Sequence, residues 1–393
     1  MPRIIGSPAH RFALGMVLLV AMIAKTAYAG PEYPADRWQT STPDAANVDA
    51  GVLAALDEEF ASGEHGYIDG MLVIRNGRVV FKKTYEQDYD TPFKGHEENR
   101  GQYNYYDPDW HPYFERGPLH TVQSISKSVT SALIGIAIRR GEIAGVGVEV
   151  MQYFDGHDQA HPDSRWSKIT LRDLLTMTSG IDWDEDSFAY TDPRNTCAGM
   201  ESSDDWVAYV LDRPMAATPG EKFVYNSGVT MLLSHILWRA TGKHADAYAA
   251  EHLFGPLGIG SFYWKRTPTG LIDAEGGLYL KPEDLARMGL LYARDGMWNG
   301  KRILPEGWKS ATMAPAVAVP ETENWKYGFQ WWLLRYSENP EKYAYTGLGY
   351  GGQRLIVLPE YDLIGVFTGW NIYDKPSLSA ELVLERLLES IRK

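Results

Sequence analysis

The sequence predicts an α+β fold, in which one antiparallel sheet is flanked by N- and C-terminal helices and interrupted by an all-α insertion. Strand patterns lie near both ends of the 393-residue chain, whereas its middle reads mainly as helices. A helical pattern precedes the first strands, and another follows the last. We therefore expect one shared α/β part, from about residues 48–123 and 275–393, and a helical part at about 124–274.

The first elements are a helix and a hairpin. Apolar residues at helical spacing predict a helix over residues 48–60. Residues 71–75 and 78–81 read as strands around Asn76-Gly77, the strongest two-residue signal for a β-hairpin turn. Residues 86–118 are polar and aromatic without periodicity, which suits either a pocket rim or an irregular surface loop.

Local start and stop signals define the later elements. Thr170 can cap a helix over residues 171–177, and Gly242 can close another that begins near residue 228. Pro282 opens a helix that runs to about residue 294. The remaining segments are predicted as strands 327–335, 353–358 and 363–368 and a closing amphipathic helix over 379–391.

Composition and charge are those of an acidic globular protein with a sizeable core. Apolar residues make up 44% of the chain, and the net charge is −13. This charge, without any basic block, argues against binding to nucleic acid or to an anionic membrane surface. Cys197 is the only cysteine, which excludes an intrachain disulfide. The histidines show no metal-binding spacing such as H-E-x-x-H, so we predict no metal and no cofactor.

Residues 1–29 read as a signal peptide. Arg3 and Arg11 precede a short apolar segment, and Ala27-Tyr28-Ala29 offers a small-residue cleavage site. The apolar segment is short for a membrane span, although an uncleaved anchor is the alternative. Cleavage after Ala29 would leave an extended lead at 30–47 and a domain at 48–393. We expect a periplasmic or secreted protein without stable membrane insertion.

The stretch Ser124-Ile125-Ser126-Lys127 has the residues of a nucleophilic site. The apolar spacing after it predicts a helix that begins near Ser124, which puts Ser124 and Lys127 on one face. A serine needs a neighbouring base, and lysine can be that base where desolvation or a nearby positive group keeps it neutral. The helix N-terminus also offers N–H groups to an oxyanion. The same spacing recurs at residues 390–393, so the motif alone also fits a polar helix start.

Three further stretches contain candidate site residues. Tyr225 precedes a predicted helix start, where its hydroxyl would act as acid or base or where its ring would simply pack. Residues 345–353 contain several glycines, which let another backbone or a substrate approach closely. Asp182 and Trp183 follow the helix at 171–177 and would line an acyl pocket, or else serve as rim or packing residues.

Taken in order, these stretches resemble the serine β-lactamase-like superfamily, which includes penicillin-binding proteins. The closest resemblance is to its class C-related serine hydrolases: esterases, D-amino-acid peptidases and 6-aminohexanoate-oligomer hydrolases. The resemblance covers roughly residues 48–390 and implies a β-lactamase/transpeptidase-like fold. The matching stretches are Ser124 to Ser128, Leu174 to Gly180, Pro219-Gly220, Gly276-Gly277-Leu278-Tyr279, Asp284-Leu285-Ala286 and Gly351-Gly352-Gln353.

The resemblance implies a role for each matched site residue. Ser124 would be the nucleophile, Lys127 would take part in activating it, and Tyr225 would relay a proton to the leaving group. The backbone N–H groups of Ser124 and Tyr350 would form the oxyanion hole. The implied activity is cleavage of a small ester or amide through an acyl-enzyme. The alternatives are a D-Ala-D-Ala carboxypeptidase or β-lactamase, and an acyl-binding sensor without turnover.

The chain departs from the family pattern at two motifs. Ser227 occupies the asparagine position of the Tyr-x-Asn motif, where a hydroxyl reaches less far towards a substrate than an amide. The Lys-Thr-Gly strand motif corresponds to Gly347-Leu348-Gly349 or, in another register, to Tyr345-Thr346-Gly347. We prefer the first register, which places Gly349 and Tyr350 beside the substrate. Both registers lack the lysine that attracts the antibiotic carboxylate in β-lactamases, which favours an esterase or amidase.

Overall fold

The computed structural model describes residues 33–89, 94, 118–155, 163–314, 317–320, 322–339, 341–372 and 378–392. The predicted signal peptide and most of the aromatic stretch at 86–118 lie outside these ranges. Within them, no helix has the length and apolar character needed to cross a membrane.

The helices of this part of the chain occupy mainly its middle, as the sequence predicts. A single π-helical turn, Ala250–Phe254, joins the helices Ala245–Ala249 and Gly255–Leu257. In chain order the helices are α1 (Ala50–Ala61), α2 (Ile125–Arg139), α3 (Leu171–Leu175), α4 (Thr196–Glu201), α5 (Trp206–Leu211), α6 (Ser227–Thr241), α7 (Ala245–Ala249), α8 (Gly255–Leu257), α9 (Pro282–Ala293), α10 (Trp308–Met313) and α11 (Ala380–Glu389).

The strands form one large sheet and two small ones. In chain order they are β1 (Ile68–Arg75), β2 (Arg78–Thr84), β3 (His120–Thr121), β4 (Tyr263–Trp264), β5 (Leu278–Leu280), β6 (Met297–Trp298), β7 (Lys301–Arg302), β8 (Val317–Ala318), β9 (Trp325–Gly328), β10 (Trp331–Arg335), β11 (Tyr343–Gly349), β12 (Gln353–Leu358) and β13 (Leu363–Gly369). The large sheet has the order β2-β1-β13-β12-β11-β10-β9-β8, and β3-β5-β4 and β6-β7 form the small ones. Every pairing in the large sheet is antiparallel. The predicted α+β class, with one sheet made from both chain ends, is confirmed.

Two apolar layers cover the large sheet. On one face α1 and α11 pack together, and their core includes Leu53, Phe60, Val383, Leu387 and the strand residue Phe367. On the other face, α2 and α9 pack against β11, β12 and β13 and extend the core into the helical part. The sheet therefore holds α2, which carries the S-x-x-K motif, against its central strands. The lead is bound as well, since the Ser41 N–H donates to the Val79 carbonyl at 2.9 Å.

The hairpin and cap predictions are confirmed by backbone geometry. Asn76 and Gly77 have φ angles of 53° and 74°, as the two central residues of a type I′ turn require. Thr170 and Asp173 form a reciprocal capping box at the start of α3. That helix ends at Leu175, two residues earlier than predicted, and Met177 has a left-handed φ of 58°.

The prediction of one strand over 327–335 is wrong, because the chain turns back at Phe329 and Gln330. Both residues have positive φ angles, 44° and 64°, which are unfavourable outside glycine. The buried Gln330 side chain offsets this strain by donating to the Leu174 carbonyl and accepting from Thr230, both at 2.9 Å. The backbone carbonyl of Gln330 also accepts from the Ser128 hydroxyl at 2.8 Å, which connects the turn to α2.

Two glycines of β11 let this strand approach the S-x-x-K segment. A Cβ at Gly349 would lie 2.5 Å from the Val122 carbonyl oxygen, and one at Gly347 would lie 3.0 Å from Ile125. Val122 and Ile125 flank the Gln123-Ser124 pair. The strand can therefore run beside the turn that presents Ser124 only because side chains are missing at both positions.

Candidate active site

Ser124 lies at the N-terminus of α2, where the sequence predicts it. Its side chain makes no capping hydrogen bond, so the hydroxyl is available for other partners. Gln123 before it has a positive φ of 48°, and this turn is held by the Val122 N–H donating to the Leu278 carbonyl at 2.9 Å. The Ser126 hydroxyl donates to the Gln123 carbonyl at 2.6 Å and fixes the same turn from inside. A strained backbone at such a turn is a common feature of functional sites.

Lys127 is fully enclosed and uses all three N–H groups of its ammonium. Nζ donates to the Ser124 hydroxyl oxygen at 2.8 Å. It also donates to the Glu275 backbone carbonyl at 2.9 Å and to the Glu275 carboxylate at 3.1 Å. Lys127 is 1% exposed and Glu275 is 5% exposed, so the two form a buried ion pair.

The surroundings of Lys127 favour its charged form over the neutral form that a lysine base requires. Burial alone would lower the pKa of Lys127, but the ionised form of Tyr225 and the carboxylates of Glu275 and Glu185 outweigh burial and raise the pKa above its ordinary value. In the same way, burial raises the pKa of Glu275, yet the Lys127 ammonium outweighs it and the net shift is downward. Lys127 is therefore an ammonium in the resting site, and it donates a proton to the Ser124 oxygen without accepting one.

Tyr225 faces the same two residues from the other side. The Lys127 Nζ lies 5.3 Å from the Tyr225 ring centroid, and Ser124 is among the groups that influence the Tyr225 hydroxyl. The ring stacks on Trp332 at a centroid distance of 5.4 Å. Burial raises the pKa of Tyr225 to about 12, although the nearby Lys127 ammonium opposes the shift. The structure thus brings Ser124, Lys127 and Tyr225 together.

Ser227 and Trp183 both donate hydrogen bonds to the carboxylate of Glu185, a residue that the sequence does not single out. The N–H and hydroxyl of Ser227 donate to the Glu185 carboxylate at 2.8 and 2.9 Å, and Trp183 Nε1 donates to it as well. Ser227 is 1% exposed. Its observed role is therefore to hold Glu185 at the N-terminus of α6, and its contacts do not support the expected direct contact with substrate. The Trp183 ring packs behind Gly228, inside the core.

The remaining predicted residues are divided between the site mouth and the surface. The Tyr350 ring meets the Tyr190 ring edge-on at 5.0 Å, and Tyr190 also donates to Glu185 at 3.0 Å. These tyrosines link the strand after Gly349 to the loop that contains Glu185. Asp182 is exposed and pairs with Arg213 at 3.4 Å, so its contacts do not support the expectation that it lines the acyl pocket.

Sequence reasoning missed Glu275, Glu185 and Trp332. Glu275 directly precedes the matched Gly276-Gly277 stretch, and a charged residue beside two glycines is the one local signal that it left. Glu185 stood two residues from Trp183 in an acidic loop, where carboxylates are usually exposed. Neither position reveals from sequence that its carboxylate turns inward.

The family comparison agrees with this geometry. The family model described as Beta-lactamase matches residues 58–368, and the chain belongs to this family. Its members are serine hydrolases that act on amide and ester bonds.

Individual relatives are distant in sequence but share the fold. A 6-aminohexanoate-dimer hydrolase of Paenarthrobacter ureafaciens is 24% identical over 269 residues, which cover 62% of this chain and 64% of the length of that relative. A Bacillus anthracis structure, provisionally described as a 6-aminohexanoate-dimer hydrolase, superposes with a TM-score of 0.67 at 19% identity, covering 91% of this chain and 88% of the other. A class C β-lactamase structure gives a TM-score of 0.60 at 17% identity, with 87% and 96% covered.

The buried ion pair predicts how stability responds to loss of Lys127. Lys127→Ala leaves Glu275 buried without its cation, which should lower the free energy of unfolding at pH 8 by about 3–5 kcal/mol. In the wild type the lowered pKa of Glu275 adds stability above the unfolded carboxyl pKa, and this stability is lost as the pH falls. In the variant the unpaired carboxyl prefers its protonated form when buried, so the deficit should shrink between pH 8 and pH 5. Urea unfolding at both pH values measures it.

The control for this prediction is the double variant Lys127→Ala/Glu275→Gln. It removes both charges and should recover most of the stability that Lys127→Ala loses at pH 8. A Lys127→Ala protein as stable as the wild type at pH 8 would show that the two groups are not a charged pair.

Proposed function

We propose that this chain is an exported serine hydrolase that cleaves an ester or amide bond of a small substrate through an acyl-enzyme on Ser124. The observation behind the proposal is the 2.8 Å hydrogen bond from Lys127 Nζ to the Ser124 oxygen, with the Tyr225 ring 5.3 Å from the same ammonium. Because Lys127 donates to that oxygen, the proton of Ser124 is free to point at Tyr225. This arrangement activates a serine and leaves the ammonium in place.

The proposed reaction follows from these contacts. The Ser124 oxygen attacks the substrate carbonyl carbon, and its proton passes to the phenolate form of Tyr225, whose negative charge the Lys127 ammonium stabilises. The carbonyl oxygen becomes an oxyanion, for which the N–H groups of Ser124 and Tyr350 are the proposed donors. Tyr225 then gives a proton to the leaving alcohol or amine, and the acyl group remains on Ser124. Water enters by the reverse of this relay, releases the acid and restores the serine.

The charges of the site favour a substrate without a carboxylate near the bond that is cleaved. In the preferred register Gly347 stands where β-lactamases carry the lysine that attracts the antibiotic carboxylate. The nearby Lys127 ammonium is already paired with Glu275. These features favour an esterase or amidase over a β-lactamase or a D-Ala-D-Ala carboxypeptidase. The relative described as a 6-aminohexanoate-dimer hydrolase supports a small linear amide as one such substrate.

Export is the part of the proposal that rests on residues 1–29 alone. Their basic start, short apolar segment and small residues before Gly30 favour cleavage after Ala29. N-terminal sequencing of the protein from the periplasm or medium would test this. A mature start more than a few residues from Gly30 would contradict it.

Active-site labelling tests the catalytic proposal. A fluorophosphonate should modify the wild type on the peptide that contains Ser124, and Ser124→Ala should abolish the modification. Ser390→Ala is the matched control, because Ser390 heads the second S-x-x-K sequence and should not affect labelling. Labelling that persists in Ser124→Ala would refute the proposal.

With a p-nitrophenyl ester we expect steady turnover, whereas one stoichiometric burst without turnover would indicate the acyl-binding sensor.

If Tyr225 relays the proton, losing its hydroxyl should slow amide cleavage more than ester cleavage. Tyr225→Phe keeps the ring and its packing on Trp332 but removes the hydroxyl. We expect kcat/KM for an amide to fall by about 10²–10⁴, and by less for the matched p-nitrophenyl ester, because an amine must be protonated to leave. Equal losses would mean that Tyr225 chiefly activates Ser124, and unchanged rates on both substrates would make it a packing residue.

A further inference from the structure

The ammonium of Lys127 belongs to a larger buried group of charges. Two lysines, Lys127 and Lys265, face four carboxyl groups, which come from Glu185, Glu201, Asp273 and Glu275. Glu185, Asp273 and Glu275 are each at most 5% exposed, and Glu201 is partly buried. An uncompensated buried charge costs several kcal/mol, so a group with two excess carboxyls is expected to retain protons.

The contact between Glu201 and Glu275 locates one such proton. Their carboxyl oxygens lie within 4.8 Å of each other, and two ionised carboxylates at this distance repel, so one of the two is expected to retain its proton. Burial and the charge of Glu275 raise the pKa of Glu201 well above its ordinary value, whereas the Lys127 ammonium favours the ionised form of Glu275. The proton therefore resides on Glu201. Cys197 Sγ lies within 4.8 Å of both carboxyls, and burial raises the pKa of this thiol, which keeps it neutral.

Glu275 is held rigidly in the position from which it contacts Lys127. It accepts from Lys127 with its backbone carbonyl and its carboxylate together. The turn around it is fixed on both sides, since the Gly276 N–H donates to Asp273 Oδ1 at 3.1 Å and the Thr130 hydroxyl donates to the Ala274 carbonyl at 3.1 Å. Because Thr130 belongs to α2, the turn moves with the helix that presents Ser124. The Lys127 ammonium lies 3.1 Å from the carboxylate.

We propose that Glu275 is a positioning residue that holds Lys127 as an ammonium during acyl transfer, with Glu201 bearing the proton that lets two carboxyls meet behind it. This inference rests on the proposed function and refines it. Lys127 then acts as a fixed cation that orients the Ser124 hydroxyl and stabilises negative charge on Tyr225. The moving proton passes between Ser124 and Tyr225 alone.

The pH dependence of Ser124 labelling tests the proposal, because a merely structural ion pair would not shift it. Other titratable groups near Lys127 and Glu275 also influence the pH profile of labelling. They are Tyr225, Glu185, Cys197, Glu201, Asp273 and Lys265. We would measure the second-order rate constant for a fluorophosphonate from pH 6 to pH 10.5. Circular dichroism at each pH would confirm that the protein stays folded.

Three variants separate the two carboxyls. Glu201→Gln replaces a protonated carboxyl by a neutral amide, so the labelling rate should stay within about twofold of the wild type at each pH. Glu275→Gln removes the carboxylate beside Lys127, although Glu201 can then ionise in its place. The double variant Glu201→Gln/Glu275→Gln removes both, so burial lowers the pKa of Lys127 into the measured range. Its rate at pH 10 should fall about tenfold or more below the wild type, with a smaller loss at pH 6.

Each contrary result has a distinct meaning. A wild-type profile in the double variant would refute the role of the carboxyl pair. A shift in Glu201→Gln as large as in Glu275→Gln would show that Glu201 is not the protonated partner. A faster reaction in Glu275→Gln would show that neutral Lys127 is the base. Failure of the wild type itself to label at Ser124 would refute the proposed function instead, so the two failures are distinguishable.

Discussion

The buried ammonium of Lys127 is the interaction on which the rest of the site depends. A charge removed from water costs several kcal/mol unless all its N–H groups find partners, and here all three do. Those partners are Ser124, in the turn before Lys127, and Glu275, in the segment before β5 and 148 residues from Lys127 along the chain. Any shift of either segment would leave the charge unpaired, so the position of Ser124 is fixed by electrostatics as much as by packing.

The fold surrounds this charge by burying α2 on almost all sides. The helix is in contact with β11, α6 and α7, and its residues from Ile125 to Ala137 are buried. Polar side chains on α2 find fixed partners, as Ser128 does on the Gln330 carbonyl and Thr130 on the Ala274 carbonyl. A helix buried in this way is a core element whose first turn alone reaches the cleft. Ser124 therefore stands at the start of a helix that is buried along most of its length.

The features that sequence predicts well are those decided within a few residues. The Asn76-Gly77 turn and the Thr170 cap both depend on neighbours at most four positions away. The turn at Phe329 and Gln330 has no such local signal, because bonds from distant helices impose it. The ordered motifs predicted that Ser124, Lys127 and Tyr225 meet. They did not predict the charge state of Lys127, since no spacing rule relates it to Glu275.

The two departures from the family motifs share one electrostatic consequence. Where relatives carry an asparagine, Ser227 instead holds the Glu185 carboxylate at the N-terminus of α6, a position that the helix dipole stabilises. Where β-lactamases carry a strand lysine, Gly347 in the preferred register adds no charge. With Lys127 already balanced by Glu275, both changes make the field around Ser124 more negative. The proposed preference for a substrate without a carboxylate near the cleaved bond rests on this balance of charge.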